Sequence, residues 1–153
     1  MGKVMGGMTI SLDGFVNDRN GSVGALYPDL GQLAQTEMLQ ESMQKTGAVI
    51  MGRHSYEMAN GDFTGYEYQV PLFIVTHEAP TSVFKGENGK LSFHFVTDGV
   101  ESAIRRAQAA AGDKDVTVVG GPNLIQQLLE AGQMDEITGW NHACFIGGWI
   151  AVV

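Results

Sequence analysis

The chain has 153 residues, 44% of them hydrophobic and 17% charged, which is typical of one globular domain with its own core. The formal net charge of −8 argues against nucleic acid or an anionic membrane as a partner, because both would repel the protein. The single Cys144 excludes an internal disulfide, and no apolar run approaches the roughly 18 residues of a membrane-spanning helix, so we expect a cytoplasmic protein.

The first half of the chain alternates predicted strands and helices. In order, they are a strand at 3–10, a turn-rich loop at 17–22, a helix at 30–46, a strand at 47–52 and a short helix at 54–60. Leu33, Met38, Leu39 and Met43 give the long helix an amphipathic pattern, and we expect Gly47 to end it.

The second half continues the alternation. It contains a strand at 70–76, a loop at 77–90, a short strand at 93–96, a helix at 99–111, a strand at 115–119 and a helix at 122–131. Crossovers of this length predict an α/β fold in which a mostly parallel central sheet carries helices on both faces, a three-layer α/β/α sandwich. We find no repeat or linker, so residues 1–153 are treated as one domain.

Two junctions between a strand and a helix carry most of the functional signal. In the first, the apolar run 116–119 stops at Gly120-Gly121, and a helical pattern starts at once. In the second, the strand ends at Gly52 and Arg53 follows directly. Turns without Cβ atoms let an anion approach the backbone, and a helix start offers it free N–H groups. The two junctions therefore predict a phosphate-bearing ligand at the edge of the sheet.

Four motifs in this order resemble the dihydrofolate reductase-like superfamily. The chain looks most similar to the branch named for the reductase domain of bacterial riboflavin biosynthesis. The motifs are Ser11-Leu12-Asp13-Gly14-Phe15, residues 49–57 (Val-Ile-Met-Gly-Arg-His-Ser-Tyr-Glu), Phe73-Ile74-Val75-Thr76, and residues 118–124 (Val-Val-Gly-Gly-Pro-Asn-Leu). The resemblance covers residues 3–137 and implies a homodimeric, NADPH-dependent reductase of a small heterocyclic substrate.

The resemblance also implies which residues hold NADPH along the carboxyl ends of the strands. They are Gly52, Arg53, His54, Ser55, Thr76, His77, Gly120, Gly121, Pro122, Asn123 and Leu124. Glycines admit the backbone, the Arg53 guanidinium offers a fork of donors, and hydroxyl and N–H groups suit phosphate oxygens.

Two carboxylates are candidates for the catalytic acid. Asp13 belongs to the motif in which, by resemblance, the acid contacts a pyrimidine, whereas Asp29 follows Tyr27-Pro28 and precedes the first helix. A carboxylate facing a nitrogen heterocycle can bind its ring N–H and relay a proton. The Trp that precedes the corresponding acid of folate reductases is absent, and the choice between Asp13 and Asp29 stays open.

Each candidate residue also has an ordinary structural explanation. Gly120-Gly121 can form a tight turn, Arg53 a surface ion pair, Asp13 a turn before Gly14, and Asp29 a helix N-cap. The four histidines lack the spacing of metal ligands, so no metal site is expected. A flavin enzyme and a non-catalytic nucleotide-binding protein are the alternative functions.

The last segment, residues 138–153, departs from the pattern of the family. It is neither alternating nor helical, and Phe145-Ile146-Gly147-Gly148 resembles the family's glycine cluster out of phase. We therefore hypothesise an altered reading frame in this segment. An unshifted sequence of the coding DNA from an independent clone would contradict the hypothesis.

Overall fold

The computed structural model describes residues 1–27, 30–33 and 35–142, and these residues form a single sheet flanked by helices. The strands are β1 (Val4–Ser11), β2 (Thr46–Gly52), β3 (Pro71–Val75), β4 (Ser92–Val96), β5 (Asp115–Val119) and β6 (Glu136–His142). The helices are α1 (Leu30–Leu33), α2 (Glu37–Lys45), α3 (Arg53–Glu57), α4 (Val100–Ala111) and α5 (Pro122–Glu130), and Gly24–Leu26 form a 3₁₀ turn.

The sheet has the strand order β4-β3-β2-β5-β1-β6, and every pairing between the described strands is parallel. The predicted α/β architecture is confirmed. None of the described helices is long and apolar enough to cross a membrane.

Two hydrophobic clusters lie on opposite faces of the sheet, as the alternation along β2 shows. Ala48 and Ile50 belong to the cluster that α4 and α5 cover, whereas Val49 and Met51 belong to the one that α2 and α3 cover. All four side chains are at most 1% exposed. Burial of an aliphatic side chain of this size stabilises the fold by about 1.5–3 kcal/mol, which holds β2 at the centre of three layers.

The prediction of a single helix at 30–46 is wrong, because two helices occupy this region. Thr36 has an extended backbone and caps α2, where its hydroxyl accepts a hydrogen bond from the Leu39 N–H at 3.4 Å. Threonine is favoured at an N-cap and disfavoured inside a helix, which explains why a second helix begins after Thr36. Leu39 and Met43 pack against the core, whereas Met38 is 49% exposed.

Gly47 does not end the helix as predicted, because α2 passes directly into β2 at Thr46. The Thr46 hydroxyl donates to the Ser42 carbonyl at 2.7 Å and lies 2.6 Å from the Thr117 hydroxyl of β5. Gly47 sits at a register shift between β2 and β5, where a Cβ would lie 2.9 Å from the Ala111 backbone. Glycine is required there by the close approach of α4 rather than by a helix end.

At the other end of the chain, β6 extends through His142, so residues 138–142 form a strand despite their irregular pattern. Residues 143–153 of the segment that departs from the family pattern, including Cys144, lie outside the described residues.

Candidate functional site

The carboxyl ends of all six parallel strands meet at one edge of the sheet. At this edge β2 and β5 are neighbours, but the chain leaves β2 towards β3 and leaves β5 towards β6, on the opposite side. Connections that diverge in this way open a crevice between them, which is where α/β sheets bind ligands. Both glycine junctions predicted from the sequence end at this crevice.

The two junctions touch each other. A Cβ on Gly120 would lie 3.0 Å from the Gly52 nitrogen, 3.3 Å from Ser55 Oγ and 3.4 Å from Met51 Cα. Gly120 is therefore needed for the close packing of the β5 turn on the β2 turn. This packing explains why residue 120 lacks a side chain, and it also joins the two halves of the candidate site.

Gly52 and Gly121 differ from Gly120, because a Cβ on either of them would meet nothing within 4 Å. Each is the N-cap of the helix that follows, Gly52 of α3 and Gly121 of α5. Their open faces leave room for a ligand to approach the backbone at both turns.

The start of α5 offers backbone donors rather than side chains. Pro122 has no N–H, and the first helical hydrogen bond is donated by Ile125 to the Gly121 carbonyl at 3.3 Å. The N–H groups of Asn123 and Leu124 precede that bond and lie at the positive end of the helix dipole. The Leu124 side chain is 5% exposed in the core, so only its backbone can serve a ligand.

Arg53 and His54 point outward on the first turn of α3. Arg53 Nε lies 3.5 Å from Glu57 Oε1, and His54 Nδ1 lies 3.9 Å from Glu57 Oε2. The ordinary explanation of Arg53 as an ion-pair residue is therefore also correct. The Arg53 side chain remains 58% exposed, and such surface pairs are weak, so the guanidinium can turn to a bound anion. No role is predicted for Glu57 from the sequence alone, although its position four residues after Arg53 is typical of an ion pair on a helix.

Thr76 and His77 follow β3 and lie beside the Gly52 turn, because Val75 pairs with Gly52. The Thr76 N–H donates to the Val96 carbonyl at 3.1 Å, and its hydroxyl donates to the Glu78 carbonyl at 2.9 Å. Thr76 is thus held in a local turn, while His77 is exposed.

Asp13 lies at the same edge, in the turn after β1, on the other side of β5. The Gly14 N–H donates to the Ser11 carbonyl at 3.0 Å, and Gly14 has a φ of +85°, which a glycine adopts without strain. The Ser11 hydroxyl donates to Asp13 Oδ1. The turn-forming role of Asp13 is confirmed, and its half-buried carboxylate lies beside the Ser11 hydroxyl at the carboxyl end of β1. Asp29 lies outside the described residues.

Tyr56 of α3 joins the site to the loop that follows β3. Its ring stacks on Phe84 at 4.2 Å, and its hydroxyl accepts a hydrogen bond from the Phe84 N–H at 2.9 Å. Burial raises the pKa of the Tyr56 hydroxyl above its ordinary value. The aromatic pattern of the sequence suggested either a ring-binding pocket or packing, and Tyr56 is a packing residue.

A cleft of about 650 Å³ lies at the opposite edge of the sheet. It is lined largely by charged side chains, and ion pairs already engage several of them, such as Lys3 with Glu136 at 3.3 Å. Because it faces the amino ends of the strands and carries no glycine-rich turn before a helix, we place the candidate site at the carboxyl edge.

Comparison with known families decides the family of the chain. The family model described as the RibD C-terminal domain matches residues 2–152. This chain belongs to the RibD C-terminal domain family. The match continues past residue 137, the expected limit of the resemblance, so it includes most of the segment 138–153 that departs from the family's pattern. A search of curated proteins found no match to this chain.

Solved structures share the RibD C-terminal domain fold. A riboflavin biosynthesis protein from Shewanella sp. PV-4 is 21% identical, with a TM-score of 0.76 over 98% of this chain and 82% of that one. A Thermotoga maritima diaminohydroxyphosphoribosylaminopyrimidine deaminase/5-amino-6-(5-phosphoribosylamino)uracil reductase is 17% identical, with a TM-score of 0.70 over 99% of this chain. A pyrimidine reductase-like protein from Corynebacterium diphtheriae is 12% identical, with a TM-score of 0.54 over 97% of this chain and 80% of that one.

This chain spans only 47% of the Thermotoga protein, about half of its length. At these identities, the similarity to solved structures shows only the fold. Membership of the family is shown by the match to the family model.

Proposed function

We propose that this protein is an NADPH-dependent reductase that transfers hydride to a small heterocyclic substrate. The observation that carries the proposal is the contact between the Gly52 and Gly120 turns at the crevice where the connections diverge. Membership of the RibD C-terminal domain family supports it, and the description of the Thermotoga relative includes 5-amino-6-(5-phosphoribosylamino)uracil reductase.

The residues of the crevice fit an extended dinucleotide phosphate. The open faces of Gly52 and Gly121 leave room for phosphate oxygens, and the first N–H groups of α5 can donate to them. The exposed Arg53 guanidinium can form charge-assisted hydrogen bonds with a phosphate. Thr76 and His77 lie on the β3 side, where they would meet the adenosine end of the cofactor.

NADPH supplies the hydride when it is bound, and the protein orients it. In the proposed mechanism, the Asp13 carboxylate accepts a hydrogen bond from a ring N–H of the substrate, and Ser11 holds the carboxylate in place through its hydroxyl. A carboxylate so placed can move a proton to or from the ring as charge changes during reduction. Asp29 is the alternative candidate for this role.

The first test is a thermal-shift and fluorescence titration with NADPH and NADH side by side. At a ligand concentration of 100 times Kd, binding stabilises the folded state by about 2.7 kcal/mol. For a domain of this size, that corresponds to a rise in Tm of roughly 5–10 °C. No shift with either nucleotide would contradict the proposal and favour a protein that keeps the fold without the cofactor site. A yellow preparation would favour a flavin enzyme.

The Arg53→Ala variant tests the predicted phosphate contact. Loss of a charge-assisted hydrogen bond of about 1.5–3 kcal/mol should weaken NADPH binding roughly 10- to 150-fold. The matched control is Arg105→Ala, which removes an exposed arginine of α4 and should leave binding unchanged. Equal affinity of Arg53→Ala and the wild type would exclude Arg53 from the site.

A cytoplasmic location and a homodimer are further parts of the proposal. They rest on the family resemblance and on the composition of the chain.

A further inference from the structure

The sequence contains three Asn-Gly pairs, Asn20-Gly21, Asn60-Gly61 and Asn88-Gly89. In such a pair the glycine nitrogen can attack the side-chain carbonyl carbon of the asparagine, because no Cβ hinders its approach. A nitrogen–carbon bond forms, the amide carbon–nitrogen bond breaks, and ammonia leaves with the proton of the glycine nitrogen. Water then opens the resulting succinimide ring to aspartate or isoaspartate, so the only co-reactant is water.

The structure restrains Asn88 against this reaction. Its side-chain nitrogen donates to Gln69 Oε1 at 2.8 Å, and its side-chain oxygen accepts from the N–H groups of Lys90 and Leu91 at 2.7 and 2.9 Å. The amide must leave all three hydrogen bonds before its carbonyl carbon can meet the Gly89 nitrogen.

The structure restrains the Asn20 pair at the attacking nitrogen. The Gly21 N–H donates to the Asp18 carbonyl at 3.0 Å, and the Asn20 N–H donates to Asp18 Oδ1 at 2.8 Å. The turn around Asp18 therefore has to open before the Gly21 nitrogen can react.

Asn60-Gly61 carries neither restraint. Asn60 is exposed in the loop after α3, and within the described part of the chain neither its side-chain amide nor the Gly61 N–H forms a hydrogen bond. The neighbouring groups are engaged instead, since the Asn60 N–H donates to the Glu57 carbonyl at 3.1 Å and the Gly61 carbonyl accepts from Lys85 at 2.9 Å.

We infer that Asn60 is the site at which the folded protein spontaneously deamidates first. The product carries one more negative charge on a chain whose formal net charge is already −8. In the isoaspartate form, the main chain also gains a methylene group just before Gly61. The hydrogen bond between the Lys85 N–H and the Gly61 carbonyl is the contact that this lengthening disturbs.

The inference is tested by incubating the purified full-length protein at physiological temperature and mildly alkaline pH. Digestion at acidic pH and site-resolved mass spectrometry then follow the loss of each amide. We expect Asn60 to convert at least about tenfold faster than Asn88, because Asn88 must first lose three hydrogen bonds, and faster than Asn20. Conversion of Asn60 at or below the rate of Asn88 or Asn20 would overturn the inference.

A parallel incubation in denaturant shows whether the fold sets this order. In the unfolded chain the three pairs should react at similar rates, and a preference for Asn60 that persists there would overturn the structural explanation. Two variants give an independent readout by isoelectric focusing. The acidic species should be lost in Asn60→Gly, which suits the φ of +52° at this position, and should remain in Asn20→Gln.

Discussion

Gly120 and Gly121 are adjacent in the chain, but the structure gives them different roles. Gly120 has backbone and side-chain atoms of the β2 junction within 3.0–3.4 Å of the position of a Cβ, whereas Gly121 faces open space. The sequence shows only that both lack a side chain. A pair of substitutions can therefore separate the packing of the crevice from its proposed use.

We predict that Gly120→Ala destabilises the protein by about 1–3 kcal/mol, because the Gly52 backbone cannot move aside cheaply. Gly121→Ala has an accessible backbone, with φ −58° and ψ 162°, and should cost less than about 1 kcal/mol, because the weaker N-cap is partly offset by the reduced entropy of the unfolded chain. It should nevertheless weaken NADPH binding, since its Cβ fills the space left for phosphate. Denaturant unfolding and NADPH titration of both variants check this, and full NADPH affinity in Gly121→Ala would contradict the proposed site.

The surroundings of His94 predict that stability depends on pH. Its ring stacks on Phe73 at 4.8 Å, its Nε2 lies 2.9 Å from Ser92 Oγ, and Arg106 lies over the Phe73 ring. Burial, and then the charge of Arg106, lower the pKa of His94 in the folded state. As the pH decreases below the unfolded pKa of about 6.5, the unfolded state binds more protons than the folded state. The free energy of unfolding therefore decreases as the pH decreases, until the pH is below the folded pKa.

We predict that the Tm of the wild type falls as the pH decreases below about 6.5, and that His94→Phe removes this part of the dependence. Phenylalanine keeps a ring for the stack on Phe73 but cannot titrate. The measurement is the Tm difference between the two proteins across this range of pH. A difference that does not change with pH would show that His94 does not contribute.

Helix α3 illustrates how a short element is held in place by its neighbours. It has five residues, too few to be stable alone, and its Tyr56 is 3% exposed within a group of aromatic rings. The hydrogen bond from the Phe84 N–H to the Tyr56 hydroxyl connects α3 to the loop after β3. The orientation of Arg53 therefore depends on Tyr56 as well as on the strand that precedes the helix.

We predict that Tyr56→Phe lowers stability by about 1 kcal/mol, or roughly 2–4 °C in Tm, because the Phe84 N–H loses its acceptor. The control is Tyr66→Phe, whose hydroxyl forms no hydrogen bond with any residue in the described ranges. Thermal unfolding of the two variants should separate them, and equal Tm values would mean that the Phe84 bond contributes no stability.

In the described part of the chain, the molecule is a parallel sheet whose middle is covered on both faces and whose outer strand on one side is β6. The family resemblance predicts a homodimer. We expect light scattering after size-exclusion chromatography to give twice the chain mass of 16.4 kDa. A monomeric mass at all protein concentrations would contradict this prediction.

The sequence by itself determined the fold class, the places of the first five strands and the two glycine junctions. These features depend on local patterns, since buried strands are apolar runs and the turns that follow them need glycine. Motif order also determined the family, which the match to the family model confirms.

Only the tertiary structure decided how those parts meet. The division of the predicted long helix follows from the cap at Thr36, and the role of Gly47 follows from the approach of α4, a contact between residues far apart in sequence. The contact of Gly120 with Gly52 exists because β5 inserts between β1 and β2, an order that no local pattern encodes. The difference between Gly120 and Gly121, and the different restraints on the three Asn-Gly pairs, have the same physical origin. In each case identical residues acquire different properties because different parts of the chain pack against them.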